Sequence, residues 1–274
     1  MAPEAHPSLA LVTGAGGALG AAVCARLLHD GFRVLALDRD AVANDRTVSG
    51  LHGRQAAISG RSVDVAAPEA IATLFEDLGR AGEAVGVLVH CAGTPGRFAF
   101  LTELSDADWR EVLATHLDGA FYCLRAVAPA MRDRGEGRVV FISSLAGQRG
   151  AVASAAYSAA KAGLHGLVWS AAKELGPSGI TVNAIAPGMI ATPPNLALQQ
   201  KGSGFIRSAL AETPTRAMSR PEDIAALVGF LASAAAANIN GQIIGHDGGA
   251  AIDSGIDEFL RERLAPRVPD LPRS

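Results

Sequence analysis

The chain reads as an α/β protein built on a doubly wound parallel sheet of about seven strands, and three observations carry that reading. Short apolar runs alternate with longer helical patterns along nearly all of the 274 residues. A Gly-rich turn stands between the first apolar run and the first helical pattern, and an acidic residue, Asp38, closes the second run. Chains of this size with this alternation commonly build one large core. Residues 1–274 are therefore expected to form one domain, with the core over about 9–252 and a polar tail over 253–274.

The elements follow in order. Leu9 to Thr13 is a strand ending at Gly14, and an Ala/Leu-rich helical pattern runs on after Gly20 to His29, where Asp30-Gly31 stops it. Arg33 to Asp38 is the second strand of an opening βαβ unit. Residues 41–56 read as a weak helix or loop, the third strand ends at Asp64-Val65, and a helix spans Pro68 to about Arg80. Val85 to Cys91 is a buried fourth strand. Asp106 to about Arg132 is a long helix, Arg138 to Ser143 the fifth strand, Ser154 to Leu175 a second long helix and Ile180 to Ile185 the sixth strand, broken by Pro187-Gly188. Residues 193–217 mix Pro, Gly and apolar residues without a clear period. A helix follows Pro221, and Gln242 to Gly245 is the last strand. No internal repeat or linker divides this core. The tail after Asp253 turns polar, with three prolines and repeated arginines, and is expected to lie outside it.

Composition narrows the partners. A net charge of -3 with no basic block argues against nucleic acid and against electrostatic membrane binding, leaving a small molecule. No apolar run reaches the roughly 18 residues of a membrane span, and the N-terminus lacks the regions of a signal peptide, so a cytoplasmic protein is expected. Cys24, Cys91 and Cys123 show no metal-like spacing, sit in apolar segments and read as buried thiols. The seven histidines are scattered and none pair at ligand spacing, so no metal site is expected.

Two stretches carry chemistry. Gly14-Ala15-Gly16-Gly17-Ala18-Leu19-Gly20 sits between strand and helix, where glycines let the backbone approach a pyrophosphate held at a helix N-terminus. Asp38 then places a carboxylate where adenosine ribose hydroxyls lie, which favours NAD, since a 2′-phosphate would meet its charge; the adjacent Arg39 is the counter-argument for NADP. Further along, Tyr157 and Lys161 are four apart in an Ala-rich, Pro-free run, so a helix sets them on one face. A phenol of pKa about 10 is a poor base near neutrality. An ammonium about 4 Å away stabilises phenolate by roughly 4 kcal/mol at an effective dielectric near 20, enough to bring the tyrosine toward acid/base work.

With Ser144 thirteen positions before Tyr157, these features together resemble the short-chain dehydrogenase/reductase family, over about Leu9 to Ile252. The resemblance implies a Rossmann-type fold and a nicotinamide cofactor. Thr13, Gly14 and Gly20 match the family turn, with Ala18 where the middle glycine is usual. It further implies that Asp64 and Val65 contact the adenine. His90-Cys91-Ala92-Gly93 occupies the family's Asn-Asn-Ala-Gly position, with Cys91, Ala92 and Gly93 walling the cofactor and the change falling on strand support. Pro187, Gly188, Ile190 and Thr192 meet the nicotinamide end, Thr192 bonding the carboxamide.

The same resemblance gives Tyr157 the proton exchange with the substrate oxygen, Ser144 a hydrogen bond to that oxygen, and Lys161 both the ribose contact and the lowering of the tyrosine pKa. Adjacent strand residues point oppositely, so of Ser143 and Ser144 one faces the cleft, and the family spacing selects Ser144. His116 stands where the family places an asparagine. It either replaces that residue in a proton path, titrating near neutrality, or fills space. The substrate is expected to be a secondary alcohol or ketone. A lid over 193–217 (Leu196, Leu198, Phe205, Ile206, Leu210), with Phe98 and Phe100, makes its pocket apolar, and Arg97 or Arg149 offers the exception of meeting an anion. A homo-oligomer, a tetramer, is expected through the two long helices, with Ala159, Ala162 and Gly166 facing outward. The alternatives are an NADPH-dependent biosynthetic ketoreductase, disfavoured by Asp38, and a nucleotide-sensing regulatory protein, disfavoured by an intact Ser144, Tyr157 and Lys161.

Overall fold

The computed structural model describes residues 8–51 and 57–252. The expected tail over 253–274 and the end of the 41–56 segment lie outside the described residues. Seven strands, β1 (Leu9–Thr13), β2 (Arg33–Asp38), β3 (Ile58–Ser62), β4 (Val85–His90), β5 (Gly137–Ile142), β6 (Ile180–Pro187) and β7 (Ile243–His246), pair in the order β3-β2-β1-β4-β5-β6-β7. Every pairing is parallel. The chain leaves β1 in one direction and returns beside it with β4, which opens a crevice at their carboxyl ends.

Period-two alternation splits the sheet's apolar residues between two cores. Leu11, Leu37, Leu88, Phe141 and Val182 face one side, where α3 (Pro68–Arg80), α5 (Gly119–Arg134) and α7 (Ala155–Leu175) cover them. Val12, Ala36, Val89, Val140 and Ile185 face the other, beneath α1 (Ala18–His29) and α10 (Pro221–Ala232). The remaining helices are α2 (Ala41–Leu51), α4 (Asp106–Leu113), α6 (Ala146–Arg149), α8 (Pro193–Gln200) and α9 (Gly204–Ala211).

Some boundaries differ from expectation. The first helix begins at Ala18, two residues before Gly20. The third strand stops at Ser62 because its last partner is Asp38, the end of β2, so Asp64-Val65 fall in the turn into α3. The sixth strand runs on to Pro187, which lacks an N–H but uses its carbonyl to accept from Leu145 N at 2.9 Å. The expected long helix from Asp106 is divided by a π-helical turn over Ala114–Asp118 that holds His116. Residues 193–217, without period in sequence, contain the two short helices α8 and α9. Cys24 and Cys123 are buried as expected, whereas Cys91, just past β4, is only partly so.

Candidate active site

The Gly-rich loop leaves β1 at the crevice. Gly14 has φ +67, and a Cβ there would lie 2.7 Å from Ala92 N, so only glycine permits this approach of the β1 and β4 ends. Ala18, in place of the usual middle glycine, is the first residue of α1 and is not among the residues with positive φ, so its methyl is accommodated. Gly17 caps α1 with no side-chain hydrogen bond, and the first turn holds no acid. Its amide donors therefore face the crevice without a side-chain partner, as an anionic pyrophosphate requires. Asp38 is fixed beside them: its carboxylate accepts from Gly16 N and Asp40 N, each at 2.9 Å. These residues fit a dinucleotide. Asp64, by contrast, is exposed and accepts from Ala66 N at 3.0 Å, while the Val65 side chain is buried against the Gly119 position.

The imidazole of His90 has taken over strand support. It is fully buried, with Nδ1 3.0 Å from Thr13 Oγ1, and the same hydroxyl accepts from Ala92 N at 3.1 Å. A ring proton on Nε2 leaves Nδ1 free to accept the Thr13 proton, and Nε2 then lies toward the Thr115 backbone. Burial, then the charge of Lys161, lower the His90 pKa to about 3. Cys91, Ala92 and Gly93 follow at the crevice, and a Cβ on Gly93 would collide with the His116 ring.

Three side chains gather at Tyr157, two of them from other elements and one from its own helix. His116, from the π-helical turn, meets the phenol ring edge-on, with centroids 5.2 Å apart and planes at 89°. Lys161 Nζ, one turn along α7, stands 5.6 Å from the ring centre and donates to the Ile142 carbonyl at 2.6 Å. Ser144, just past β5, accepts from Ala146 N at 3.1 Å. Its neighbour Ser143 points the other way, buried, with its hydroxyl engaged by His165 and the Lys161 carbonyl. That leaves Ser144 as the hydroxyl on the Tyr157 side.

Burial dominates the electrostatics of this cluster. Burial pushes the Tyr157 phenol above its usual range, with the Ser144 hydroxyl opposing the rise. Lys161 does not keep the ordinary pKa of an ammonium, since burial pulls it from 10.5 to about 7, against a smaller opposing pull from Cys91. Nor does His116 titrate near neutrality: burial first, then Lys161, lower it to about 2. His116 Nε2 lies 2.7 Å from the Thr94 carbonyl and 3.1 Å from Thr94 N. The closer contact puts the proton on Nε2, so Nδ1 is a buried acceptor without a partner.

The rest of the crevice is framed by Pro187-Gly188 and the segment to Thr192. Ile190 pairs with Ser219 in an isolated bridge, and Thr192 caps α8 with its hydroxyl uncommitted to the helix. Phe98 and Phe100 stand exposed on the loop after β4, tied to the α7 entry by Ala99 N donating to Ala153 O at 3.1 Å. Leu196, Leu198 and Phe205 are exposed on α8 and α9, whereas Ile206 is 1 % exposed and belongs to the interior rather than to a pocket. Arg97 lies 3.6 Å from Asp108, and Arg149 lies 3.1 Å from Glu212 while donating to the Ala250 carbonyl at 3.0 Å. Both arginines are therefore committed to partners. Among the described residues no helix is long and apolar enough to cross a membrane.

The family model described as Enoyl-(Acyl carrier protein) reductase matches residues 14–251. A short-chain reductase protein, NovJ, of Streptomyces niveus is 38% identical over 250 residues, covering 88% of this chain and 93% of that protein. A (3R)-3-hydroxyacyl-CoA dehydrogenase of Mus musculus is 36% identical over 254 residues, covering 88% of this chain and 95% of its own. Among solved structures, an actinorhodin polyketide ketoreductase variant with NADPH superposes with a TM-score of 0.84 at 32% identity, covering 90% of this chain and 98% of that one.

Proposed function

The chain belongs to the short-chain dehydrogenase/reductase family and is an NAD(P)-dependent oxidoreductase of alcohols and ketones; from that premise we propose that it prefers NAD, uses Tyr157 as its general acid/base and acts on apolar substrates. The observation that carries the reading is the meeting of Ser144, Lys161 and His116 around one half-buried phenol at the carboxyl edge of the sheet. The nicotinamide, when bound, supplies or accepts the hydride. Gly14, Gly16, Gly17, Leu19 and Gly20 would hold its pyrophosphate side, Asp38 the adenosine ribose, Asp64 and the Val65 backbone the adenine, and Cys91, Ala92 and Gly93 the wall beside it. Lys161 would hold the nicotinamide ribose, with Pro187, Gly188, Ile190 and Thr192 at the ring end.

Tyr157 exchanges a proton with the substrate oxygen, and Ser144 hydrogen-bonds that oxygen as charge develops on it. His116 acts as a neutral imidazole that packs on the tyrosine ring and holds Thr94, not as a titrating base. The exposed apolar side chains around the crevice, and the pairing of Arg97 and Arg149 with acids, favour an acyl or bulky ketone over an anionic one. We further infer a homo-oligomer, a tetramer, built on α4, α5 and α7.

Cofactor preference is tested by kcat/KM with NADH and NADPH on a panel of ketones. Wild type should favour NADH, and Asp38→Ala should narrow that preference by removing a carboxylate which two amides hold in place. A wild-type preference for NADPH, or a ratio unmoved by Asp38→Ala, supports the NADPH-dependent ketoreductase instead. No turnover with either cofactor supports the sensing protein.

A further inference from the structure

We propose that His165, acting through Ser143, is a positioning residue for this active site: its imidazole orients the hydroxyl that ties the end of β5, where Ser144 stands, to the Lys161 turn of α7. The proposal rests on the reading of Ser144, Tyr157 and Lys161 as the reacting set. Ser143 and Ser144 are consecutive residues leaving β5, and Lys161 and His165 lie one turn apart on α7, so a bond between Ser143 and this turn joins the two halves of that set.

Ser143 is 2 % exposed, and its Oγ lies 2.7 Å from His165 Nε2 and 3.2 Å from the Lys161 carbonyl oxygen. A serine hydroxyl has one proton to give. Only one assignment satisfies both contacts: His165 Nε2–H donates to Ser143 Oγ, and Ser143 O–H donates to the Lys161 carbonyl. Without the imidazole, the hydroxyl loses its incoming donor and is free to rotate away from Lys161. Burial, then the charge of Lys161, hold the His165 pKa below its usual value, so the ring stays neutral near pH 7 with one N–H to spend. The same turn of α7 is gripped a second time, since a Cβ at Gly147 would come within 2.8 Å of the Lys161 carbonyl carbon. Between these two grips lies Ser144, whose Oγ accepts from Ala146 N at 3.1 Å. Small misplacements of reacting groups are costly, so a bond that fixes the Ser144 segment against the Lys161 turn has a direct route to rate.

The test measures kcat, KM for ketone, NADH affinity and thermal midpoint for His165→Leu, His165→Gln, Ser143→Ala and Tyr157→Phe. Glutamine keeps an N–H near the Nε2 position, and leucine keeps only bulk. His165→Leu should lower kcat about tenfold with NADH affinity and thermal midpoint near those of wild type, and His165→Gln should recover to within about threefold. Ser143→Ala should match the leucine variant. The proposal is overturned if His165→Leu turns over within about twofold of wild type, or if its loss tracks a falling thermal midpoint and glutamine gives no rescue. Should His165→Leu fail to fold, wild-type kcat in Ser143→Ala overturns it equally. An active Tyr157→Phe would bring down the underlying site assignment and this proposal with it, whereas an inert Tyr157→Phe beside an unimpaired His165→Leu would remove the positioning role alone.

Discussion

Burial, more than charge pairing, sets the chemistry of the side chains around Tyr157. The phenol is raised, Lys161 is lowered to about 7, and His90 and His116 stay neutral far below their usual range. For Lys161 the folded-state pKa lies below the ordinary 10.5, so the folded chain binds fewer protons than the unfolded one between about pH 7 and 10.5. The cost of the buried ammonium is then full below about pH 7 and fades as pH rises through that window. Lys161→Met removes that cost along with the bond to the Ile142 carbonyl, and the second loss does not depend on pH. Relative to wild type, the variant should thus be most stable below about pH 7 and lose that relative advantage toward 10.5; a stability difference that stays flat across the range in thermal denaturation would contradict the burial argument. Tyr157, Lys161 and Asp38 were legible in the sequence because spacing along one helix and the end of one strand determines their placement. Their ionisation was not, since an ion pair read from four-residue spacing says nothing of how deep the pair lies. The partners of His90 and Ser143 were illegible because they lie 77 and 22 residues away.

At the level of elements, one extra residue per turn over Ala114–Asp118 turns His116 toward Gly93 and Tyr157. Apolar periodicity does not register such an insertion, and the stretch from Asp106 therefore reads as a single helix. Helices α8 and α9 escaped because they are only eight residues each and give almost nothing to the core: α8 buries none of its residues and α9 only Ile206. That lack of burial bears on substrate. Leu196, Leu198 and Phe205 on α8 and α9, and Phe98 and Phe100 on the loop after β4, present exposed apolar surface that a ligand could cover at about 25 cal/mol per Å². For ketones of rising apolar bulk, kcat/KM should climb. A flat or falling series, or a strict need for a carboxylate, would show that Arg97 or Arg149 leaves its acidic partner to set specificity.

For the molecule as a whole, a parallel sheet of seven strands with helices on both faces was legible from the alternation of apolar runs and helical patterns, because a sheet covered on both sides needs near-continuous apolar strands. Assembly rests on what α4, α5 and α7 leave uncovered. Ala159, Ala162 and Gly166 are exposed along α7, nothing lies within 4 Å of a Cβ built on Gly166, and Trp109, Phe121 and Trp169 stand exposed on the same three helices. A second copy would bury these aromatics and let small residues pack closely. Light scattering at micromolar concentration should give a multiple of the 28.0 kDa chain, and a monomer throughout would refute the assembly. Tyr157→Phe bears most directly on what the molecule does, since it keeps the ring that His116 packs against and removes only the hydroxyl. Its kcat for NADH-dependent ketone reduction should fall by about 100-fold or more while NADH still binds; retention of more than about a tenth of wild-type kcat would contradict the proton-transfer role.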